Sequence, residues 1–391
     1  MKKIWPFTFY FLYFAALASL MPFLVLFYRD LGFTGAQIGL LTGVPPLVTL
    51  VASPFWTGVA DARRWHRLVM GMGLLVAVLV MLVMQSLTQF LPVFLLIILF
   101  NTFMSPVPSL ADSGIMTMLG DQRAMYGRIR LGGTIGWGLF APIAGTLVEN
   151  YGLRIAFWMF SALMLVNVFV TQRFVHDSRE DGESTSGGIR VLLTNRRWIN
   201  FLFIAILGGI GSFSAAAYLF PYMAELGADE STMGLALTIS TLTELPIFFL
   251  AHRLVKKFGS YRLLTLTLLM FGIRSLLYAA VSTPSLVLAV QAFGGMIFPA
   301  MWTAAVSYAD EHAPADLKSS AQGLLGAMSF GVGSAISGFI GGPLLASIGG
   351  RGLYLVLGIM ILLGLAIAEA VRRFFPEKSE LAPVPSLSSD R

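Results

Sequence analysis

Long apolar runs, separated by short breaks rich in charged residues, glycine or proline, fill most of the sequence. A bilayer core about 30 Å thick needs about 20 apolar residues per helix, and most of the runs are long enough to cross it. Backbone polar groups in lipid must be paired within their own segment, so each run is predicted to be a helix. The pattern predicts twelve transmembrane helices at 5–28, 36–60, 67–88, 91–119, 127–149, 153–175, 198–222, 231–255, 262–282, 284–309, 318–346 and 351–374.

One long polar connection divides these helices into two sets of six. The two sets echo each other, because Leu31-Gly32 after the first helix matches Leu226-Gly227 after the seventh. Parallel repeats are typical of transporters that hold their substrate between two halves. We therefore expect an all-α membrane fold with two pseudo-symmetric six-helix halves. The expected boundaries are an N-terminal half at 1–175, a cytoplasmic linker at 176–197, a C-terminal half at 198–374 and a cytoplasmic tail at 375–391.

Composition and charge fit a membrane protein, since 57% of the 391 residues are hydrophobic and 12% are charged, against about 25% charged in soluble domains. All but four of the 26 lysines and arginines fall on the side that carries both termini. Arg29, Arg154 and Arg351 lie on the other side, and Arg274 lies within a helix. Basic loops stay cytoplasmic, which predicts a multi-pass protein of the bacterial inner membrane with both termini inside. The net charge of +6 follows from this topology and requires no nucleic-acid partner.

The loop after the second helix carries a charged motif, G-V-A-D-A-R-R-W-H-R at 58–67. It resembles the G-x-L-A-D-R-x-G-R-R loop of the major facilitator superfamily, although Ala62 replaces the first basic residue and Arg64 stands where glycine is usual. A carboxylate at a helix end can pair with arginines or face a helix N-terminus, and so hold one conformation. An ordinary basic cytoplasmic loop would explain the arginines but not Asp61. The expected conformational loop consists of Gly58, Asp61, Arg63, Arg64 and Arg67.

A second motif, Y-G-R-I-R-L-G-G-T-I-G at 126–136, opens the fifth helix. It looks like the Y-G-x-I-R-x-x-G-S-x-G pattern of the group that contains phenylpropionate permease and, more distantly, lactose permease and the nucleoside–proton symporters. That group often has a histidine near the position of Gly294, and the lactose permease type adds a glutamate in the tenth helix. This tenth helix has neither, so the lactose permease proton mechanism is not implied. Other shared features are Asp112, Glu244-Leu-Pro246, Arg274 and Ala321-Gln322-Gly323-Leu324.

Four of the ionisable residues within the helices are candidates for a functional role, because a charge there is costly unless it is paired or faces water. Glu244 and Arg274 fall near the middle of consecutive helices, and we expect them to pair, either functionally or as a structural lock. Asp112 and Arg130 lie nearer the cytoplasmic ends of the fourth and fifth helices and are expected to pair as a gate or a staple. Glu244 or Asp112 is the expected carrier of a coupled proton.

Further polar side chains within the helices are candidates for lining a solute cavity, although tyrosine is also common in interfacial belts. No phosphate-binding loop occurs, and the four histidines lie far apart in loops, so we expect no ATP hydrolysis, metal site, cofactor or enzyme activity. The expected partners are a small solute, protons and the lipid bilayer, and the protein is expected to be a monomer. The cavity candidates are Tyr10, Tyr13, Asn101, Tyr218, Tyr222 and Gln291.

These features predict a secondary active transporter for a small organic solute that works by alternating access, with proton symport favoured. Proton-antiport efflux of sugars or drugs is the alternative. A membrane-embedded transferase or sensor would need a catalytic cluster at one membrane face, and none is evident. The chemical class of the solute is not fixed by these residues. Arg274 would suit a carboxylate such as an aromatic acid. Glu244 beside tyrosines would suit a hydroxyl of a sugar or nucleoside.

Overall fold

A computed structural model describes residues 4–119, 125–173, 189–314 and 317–374, and these residues are almost entirely helical, with no strand among them. Eleven of the described helical segments are long and apolar enough to cross a membrane. The last of them is 55 residues long and is bent at Gly349, whose φ of 69° is not helical. It therefore supplies two spans. Most of the predicted linker and the whole predicted tail lie outside the described residues.

We number the spans 1 to 12 along the chain. Spans 1 to 10 are Ile4–Asp30, Gly35–Arg63, His66–Met84, Phe90–Leu119, Tyr126–Tyr151, Arg154–Thr171, Arg196–Glu225, Glu230–Phe258, Ser260–Ala280 and Pro284–His312. Span 11 covers 320–348 and span 12 covers 350–374. A short helix, Ile189–Thr194, precedes span 7.

Several spans contain a local break. Span 1 passes through a 3₁₀ turn at Met21–Phe23, and span 4 is divided into Phe90–Met104 and Val107–Leu119. Span 10 is divided in the same way, into Pro284–Gly294 and Ile297–His312. Span 11 contains a π-helical segment, Ala327–Gly333. The breaks in spans 4 and 10 fall at corresponding places in the two halves.

Spans 11 and 12 form a hairpin against span 7. Glycines of the long helix from 333 to 350 approach successively later residues of span 7. Gly364, well beyond the bend, approaches an earlier residue of span 7, so the chain has reversed its direction. The contacts are Gly333 with Gly209, Gly341 with Tyr218, Gly350 with Tyr222 and Gly364 with Leu207. The bend at Gly349 needs the left-handed backbone that glycine adopts without a steric penalty.

Six residues with positive φ mark the two-fold repeat of the fold. In the first half they are Gly32, Arg64 and Gly152, and in the second half they are Gly227, Gly259 and Gly349. Each occupies the corresponding turn of its half. The turns before spans 2 and 8 also share an N-cap, since the side chains of Thr34 and Asp229 each accept a backbone N–H three residues on. The bonds from Thr232 hold the pKa of the exposed Asp229 carboxyl below its usual value.

The two halves meet at one end of the molecule, which we call the closed end; it carries the turns at 31–34 and 226–229. Spans 2 and 11 touch there through glycines, and a Cβ at Gly342 would overlap the backbone of Gly35 and Gly39. Spans 5 and 8 repeat this contact, because a Cβ at Gly145 would overlap the backbone of Glu230. Small residues let helix backbones approach this closely. The opposite end, with the turns at Arg64 and Gly259, is called the open end.

Candidate functional site

A cluster of four polar side chains joins spans 1, 4 and 5 of the first half. Asp112 accepts hydrogen bonds from the hydroxyls of Tyr10 and Tyr126, the latter at 2.9 Å. Arg130 lies one helical turn after Tyr126, donates to its hydroxyl at 3.0 Å, and stands 3.5 Å from Asp112. Its guanidinium also lies 5.6 Å from the centre of the Tyr10 ring. The sequence placed Asp112 and Arg130 in neighbouring helices, and the structure brings them together through two tyrosine hydroxyls.

The two charged side chains of this first-half cluster are partly exposed. The side chains of Asp112 and Arg130 are 38% and 50% exposed, whereas Tyr10 is buried behind them. The close approach of spans 1 and 5 depends on Gly132 and Gly136, which lie against the backbone of span 1. A carboxylate with free acceptor capacity beside a guanidinium and phenol rings can bind a solute hydroxyl or carry a proton.

A second polar cluster lies inside the second half, around Arg274 of span 9. Its guanidinium donates to the hydroxyl of Tyr278 at 2.9 Å and to the side-chain carbonyl of Gln291 at 2.5 Å. Tyr278 also donates to Gln291 at 2.8 Å, which closes the triangle. Arg274 is only 7% exposed. The side chain is held by neutral partners, so this cluster carries a buried positive charge.

The guanidinium of Arg274 lies against Gly294 of span 10. A Cβ at this position would overlap Nε and Cζ of Arg274. The absence of a side chain at residue 294, where the related group often has histidine, therefore lets the arginine fold against span 10. Tyr354 extends the cluster, since its ring lies 4.8 Å from that of Tyr278.

The expected Glu244–Arg274 pair is not formed, which corrects the sequence interpretation. No hydrogen bond or ion pair between the two is present among the described residues. Matching depth in consecutive spans does not fix which way each side chain points. The guanidinium of Arg274 turns towards span 10, where Gln291 and the space at Gly294 accept it.

Glu244 lies on the side of span 8 opposite its most exposed side chains. These are Leu242 and Phe249, which lie seven residues apart. A helix turns about 100° per residue, so Glu244 lies about 200° from Leu242, on the far side. Thr241, one turn earlier on span 8, contacts Gly138 of span 5. Glu244 is half-buried and has no hydrogen-bond or ion-pair partner within the described ranges.

Asp112 of the first half and Glu244 of the second half both lie near the interface of spans 5 and 8. Gly138 of span 5 marks the depth of Thr241, and Glu244 follows Thr241 by less than one turn. Arg130 precedes Gly138 by eight residues on the same helix, or about 12 Å along the axis. Spans 5 and 8 are in direct contact at Gly138, so a solute that reaches both Glu244 and the first-half cluster would lie on the open-end side of this contact.

The conformational loop lies at the open end. Asp61 is largely exposed and contacts Nε2 of His66 at 2.7 Å, while the guanidinium of Arg63 lies 4.7 Å from the centre of the Trp65 ring. Arg64 caps span 2 in the left-handed conformation, with φ of 57°. Glycine is the usual residue in such a cap, which explains the position at which the related motif carries glycine. The exposed positions in this loop include Gly58 and Arg67.

The remaining cavity candidates divide by environment. Tyr13 is buried and stacks on Phe9 at 5.7 Å. Asn101 is half-buried and donates to a carbonyl of its own helix. Tyr218 joins the halves at the closed end through Thr42, at 3.0 Å.

Tyr222 binds carbonyl oxygens at the end of span 9. Tyr222 therefore lies at the closed end, as Tyr218 does, and both side chains are buried.

Tyr126, Tyr278 and Tyr354 belong to the two polar clusters but were not among the candidates from the sequence. Tyr126 was visible as the first letter of the motif that opens span 5. Tyr278 lies four residues after Arg274, a spacing that places the two side chains on one helix face. Tyr354 gave no such signal, because it joins the cluster only through the hairpin of spans 11 and 12.

Comparison with known proteins gives matches along most of the chain. The family model described as "MFS_1 like family" matches residues 5–356. The maltose permease of Geobacillus stearothermophilus is 30% identical over 382 residues, covering 94% of this chain and 95% of that protein. The multidrug resistance protein MdtG of Salmonella dublin is 28% identical over 234 residues, covering 56% of this chain and 57% of MdtG.

The fold is similar to that of a solved transporter. The nucleoside transporter NupG matches with a TM-score of 0.82 at 17% identity, covering 96% of this chain and 100% of NupG. A mutant form of NupG matches with a TM-score of 0.85, also at 17% identity. At this identity the likeness concerns the fold.

Proposed function

This chain belongs to the MFS_1 like family of membrane transporters, and we propose that it takes up a sugar or a similar hydroxyl-rich solute by proton symport. The observation that carries the proposal is the pair of accessible carboxyl groups on the two halves, Asp112 and Glu244. Carboxylate oxygens accept hydrogen bonds from sugar hydroxyls, and tyrosine rings offer apolar faces beside them. The likeness to a maltose permease over nearly the full length supports the same class of solute.

Arg274 does not favour an anionic solute. Its guanidinium is already bonded to Tyr278 and Gln291 and is nearly inaccessible. A carboxylate solute would have to displace these bonds to reach it. The more exposed guanidinium of Arg130 is shared with Asp112, which balances its charge.

Proton coupling is assigned to Glu244 in this proposal, with Asp112 as the second candidate. An ionised carboxylate in an apolar span is costly without a partner, and Glu244 has no partner within the described residues. Solute hydroxyls that donate to Glu244 would change the balance between its ionised and protonated forms. Asp112 already has a guanidinium and two phenols around it.

The transport cycle in this proposal alternates between two arrangements of the halves. The excess of basic residues near the open end supports a cytoplasmic location for that end and for both termini. The structure would then represent the inward-facing state, with the closed end towards the outside. The loop around Asp61 would act at the cytoplasmic side when that end closes.

The test is uptake into liposomes that contain the purified protein, with an inward proton gradient. Radiolabelled maltose, a nucleoside and an aromatic carboxylate are compared, each with and without a protonophore. Accumulation of the sugar that the protonophore abolishes is the expected result. The likeness to MdtG makes efflux the alternative, and it would appear as solute expulsion driven by the opposite gradient.

A further inference from the structure

At the closed end, one ion pair joins the two halves. Nη1 of Arg29, at the end of span 1, lies 3.1 Å from a carboxylate oxygen of Glu225, at the end of span 7. The same nitrogen donates to the backbone carbonyl of Pro221 at 3.2 Å. No other ion pair between the halves is present among the described residues. The remaining contacts at this end are glycine packing, aromatic packing and neutral hydrogen bonds.

Glu225 has a second bond that fixes its carboxylate. Its other oxygen accepts the backbone N–H of Gly350 at 2.6 Å, immediately after the bend at Gly349. The first N–H groups of a helix lack intrahelical partners, so Glu225 caps the start of span 12. The acceptor for Arg29 is therefore held in place by the second half itself.

Neighbouring bonds make this end of the second half a single block. Tyr222, one turn before Glu225, donates to the carbonyls of Tyr278 and Val281. Arg351 donates to the same Val281 carbonyl at 3.1 Å. These are carbonyls at the C-terminal end of span 9, which also lack intrahelical partners. Spans 7, 9 and 12 are thus tied together, and Arg29 docks on them from the first half.

We propose that the Arg29–Glu225 pair is a latch that favours the arrangement with this end closed. Glu225 is the fixed side of the latch and Arg29 the side that leaves when the halves separate here. This rests on the alternating access of the proposed function. Both side chains are partly exposed, so the pair is a modest contributor, and we expect its loss to change the ratio of the two arrangements about two- to fivefold.

The experiment measures the distance across the closed end in the full-length protein in lipid nanodiscs. The chain has no cysteine, so Asn150→Cys and Ser347→Cys place spin labels at two unique exposed positions, one on each half. Arg29→Gln and Glu225→Gln should each increase the population at the longer distance. Glu225→Gln keeps an acceptor for Gly350, so the cap on span 12 survives. The double variant should resemble Arg29→Gln, because that change already removes both the ion pair and the bond to Pro221, so the second change has no further interaction with Arg29 to remove.

Two further variants separate the possible outcomes. Arg154→Gln removes a positive charge at the same end from a side chain with no described partner, and should leave the distances unchanged. Gly342→Ala forces spans 2 and 11 apart and serves as a positive control for opening. If Gly342→Ala populates the longer distance while Arg29→Gln and Glu225→Gln do not, the latch is wrong and alternating access stands. If no variant populates the longer distance, both the latch and the alternating access of the proposed function are wrong.

Discussion

The guanidinium of Arg274 fills the space that a side chain at Gly294 would need. Spans 9 and 10 are therefore complementary at this depth: one supplies a long cation and the other supplies a gap and the acceptor Gln291. The cation is satisfied inside its own half and does not depend on Glu244. We therefore expect protonation of Glu244 to leave the stability of the Arg274 cluster unchanged.

Arg274→Ala should destabilise the protein, and Glu244→Gln should not rescue it. The alanine variant removes the hydrogen bonds that the guanidinium donates and leaves Tyr278 and Gln291 with their mutual bond, and hydrogen bonds that involve a charged group contribute about 1.5–3 kcal/mol each. Thermal unfolding in detergent measures this effect, with Arg154→Gln as a surface control. If the double variant is more stable than Arg274→Ala alone, Glu244 and Arg274 pair directly, contrary to the structure.

Gly294→Ala should resemble Arg274→Ala in stability without removing the charge. The added methyl group overlaps the guanidinium and must displace it from Gln291. Gly323→Ala is the matched control, since a Cβ there meets no neighbour within 4 Å. Equal melting temperatures for Gly294→Ala and Gly323→Ala would contradict the proposed role of the gap.

Glu244→Gln should abolish gradient-driven accumulation and retain exchange of solute across the membrane. The amide keeps the shape of the side chain and, like the protonated acid, offers one carbonyl acceptor and a donor, but it cannot take up a proton at ordinary pH. Counterflow in liposomes without a gradient measures the retained activity, and uptake with a gradient measures the lost one. Wild-type accumulation by this variant would move the coupling role to Asp112 or remove proton coupling.

Asp112→Asn should raise KM for solute about tenfold or more, because hydrogen bonds to a charged group contribute about 1.5–3 kcal/mol. Tyr126→Phe should have a smaller effect in the same direction, since it removes only one of the bonds that orient the carboxylate. Tyr151→Phe, on an exposed side chain, is the control. Unchanged KM in Asp112→Asn would exclude the first-half cluster from solute binding.

Tags inserted at 178–188 and after Arg391 should both report a cytoplasmic location, and a tag in the turn at 85–89 should report the opposite side. The expectation follows from the bias of lysine and arginine towards one side of the chain. Reporter-fusion activity in intact cells is the measurement. A cytoplasmic report from the 85–89 tag would contradict the assignment of spans 3 and 4.

The twelve spans could be predicted from the length of the apolar runs, because each span must pair its own backbone groups in lipid and therefore forms a helix. The breaks in spans 4 and 10 and the π segment of span 11 could not, since they depend on how helices pack. The sequence placed the turn between spans 11 and 12 within residues 347–350, and the structure narrows it to Gly349.

The candidate site was predictable in part. Charges within spans pointed to Asp112, Arg130, Glu244 and Arg274, because such residues are rare in lipid without a function. Their partners were less predictable, since a rotation of 100° about a helix axis redirects a side chain to another neighbour. Arg274 illustrates this, as its partners are Tyr278, one turn later in span 9, and Gln291 of span 10.

The closed end is built from very short turns, at 31–34, 85–89, 152–153, 226–229 and 281–283, with Gly349 as the last. These turns leave little polypeptide outside the helices on that side. An antibody fragment raised against the folded protein would find few epitopes there, and those would consist of single turns from different spans. A fragment that does bind on this side must therefore contact several turns at once, and so would recognise one arrangement of the halves in preference to the other.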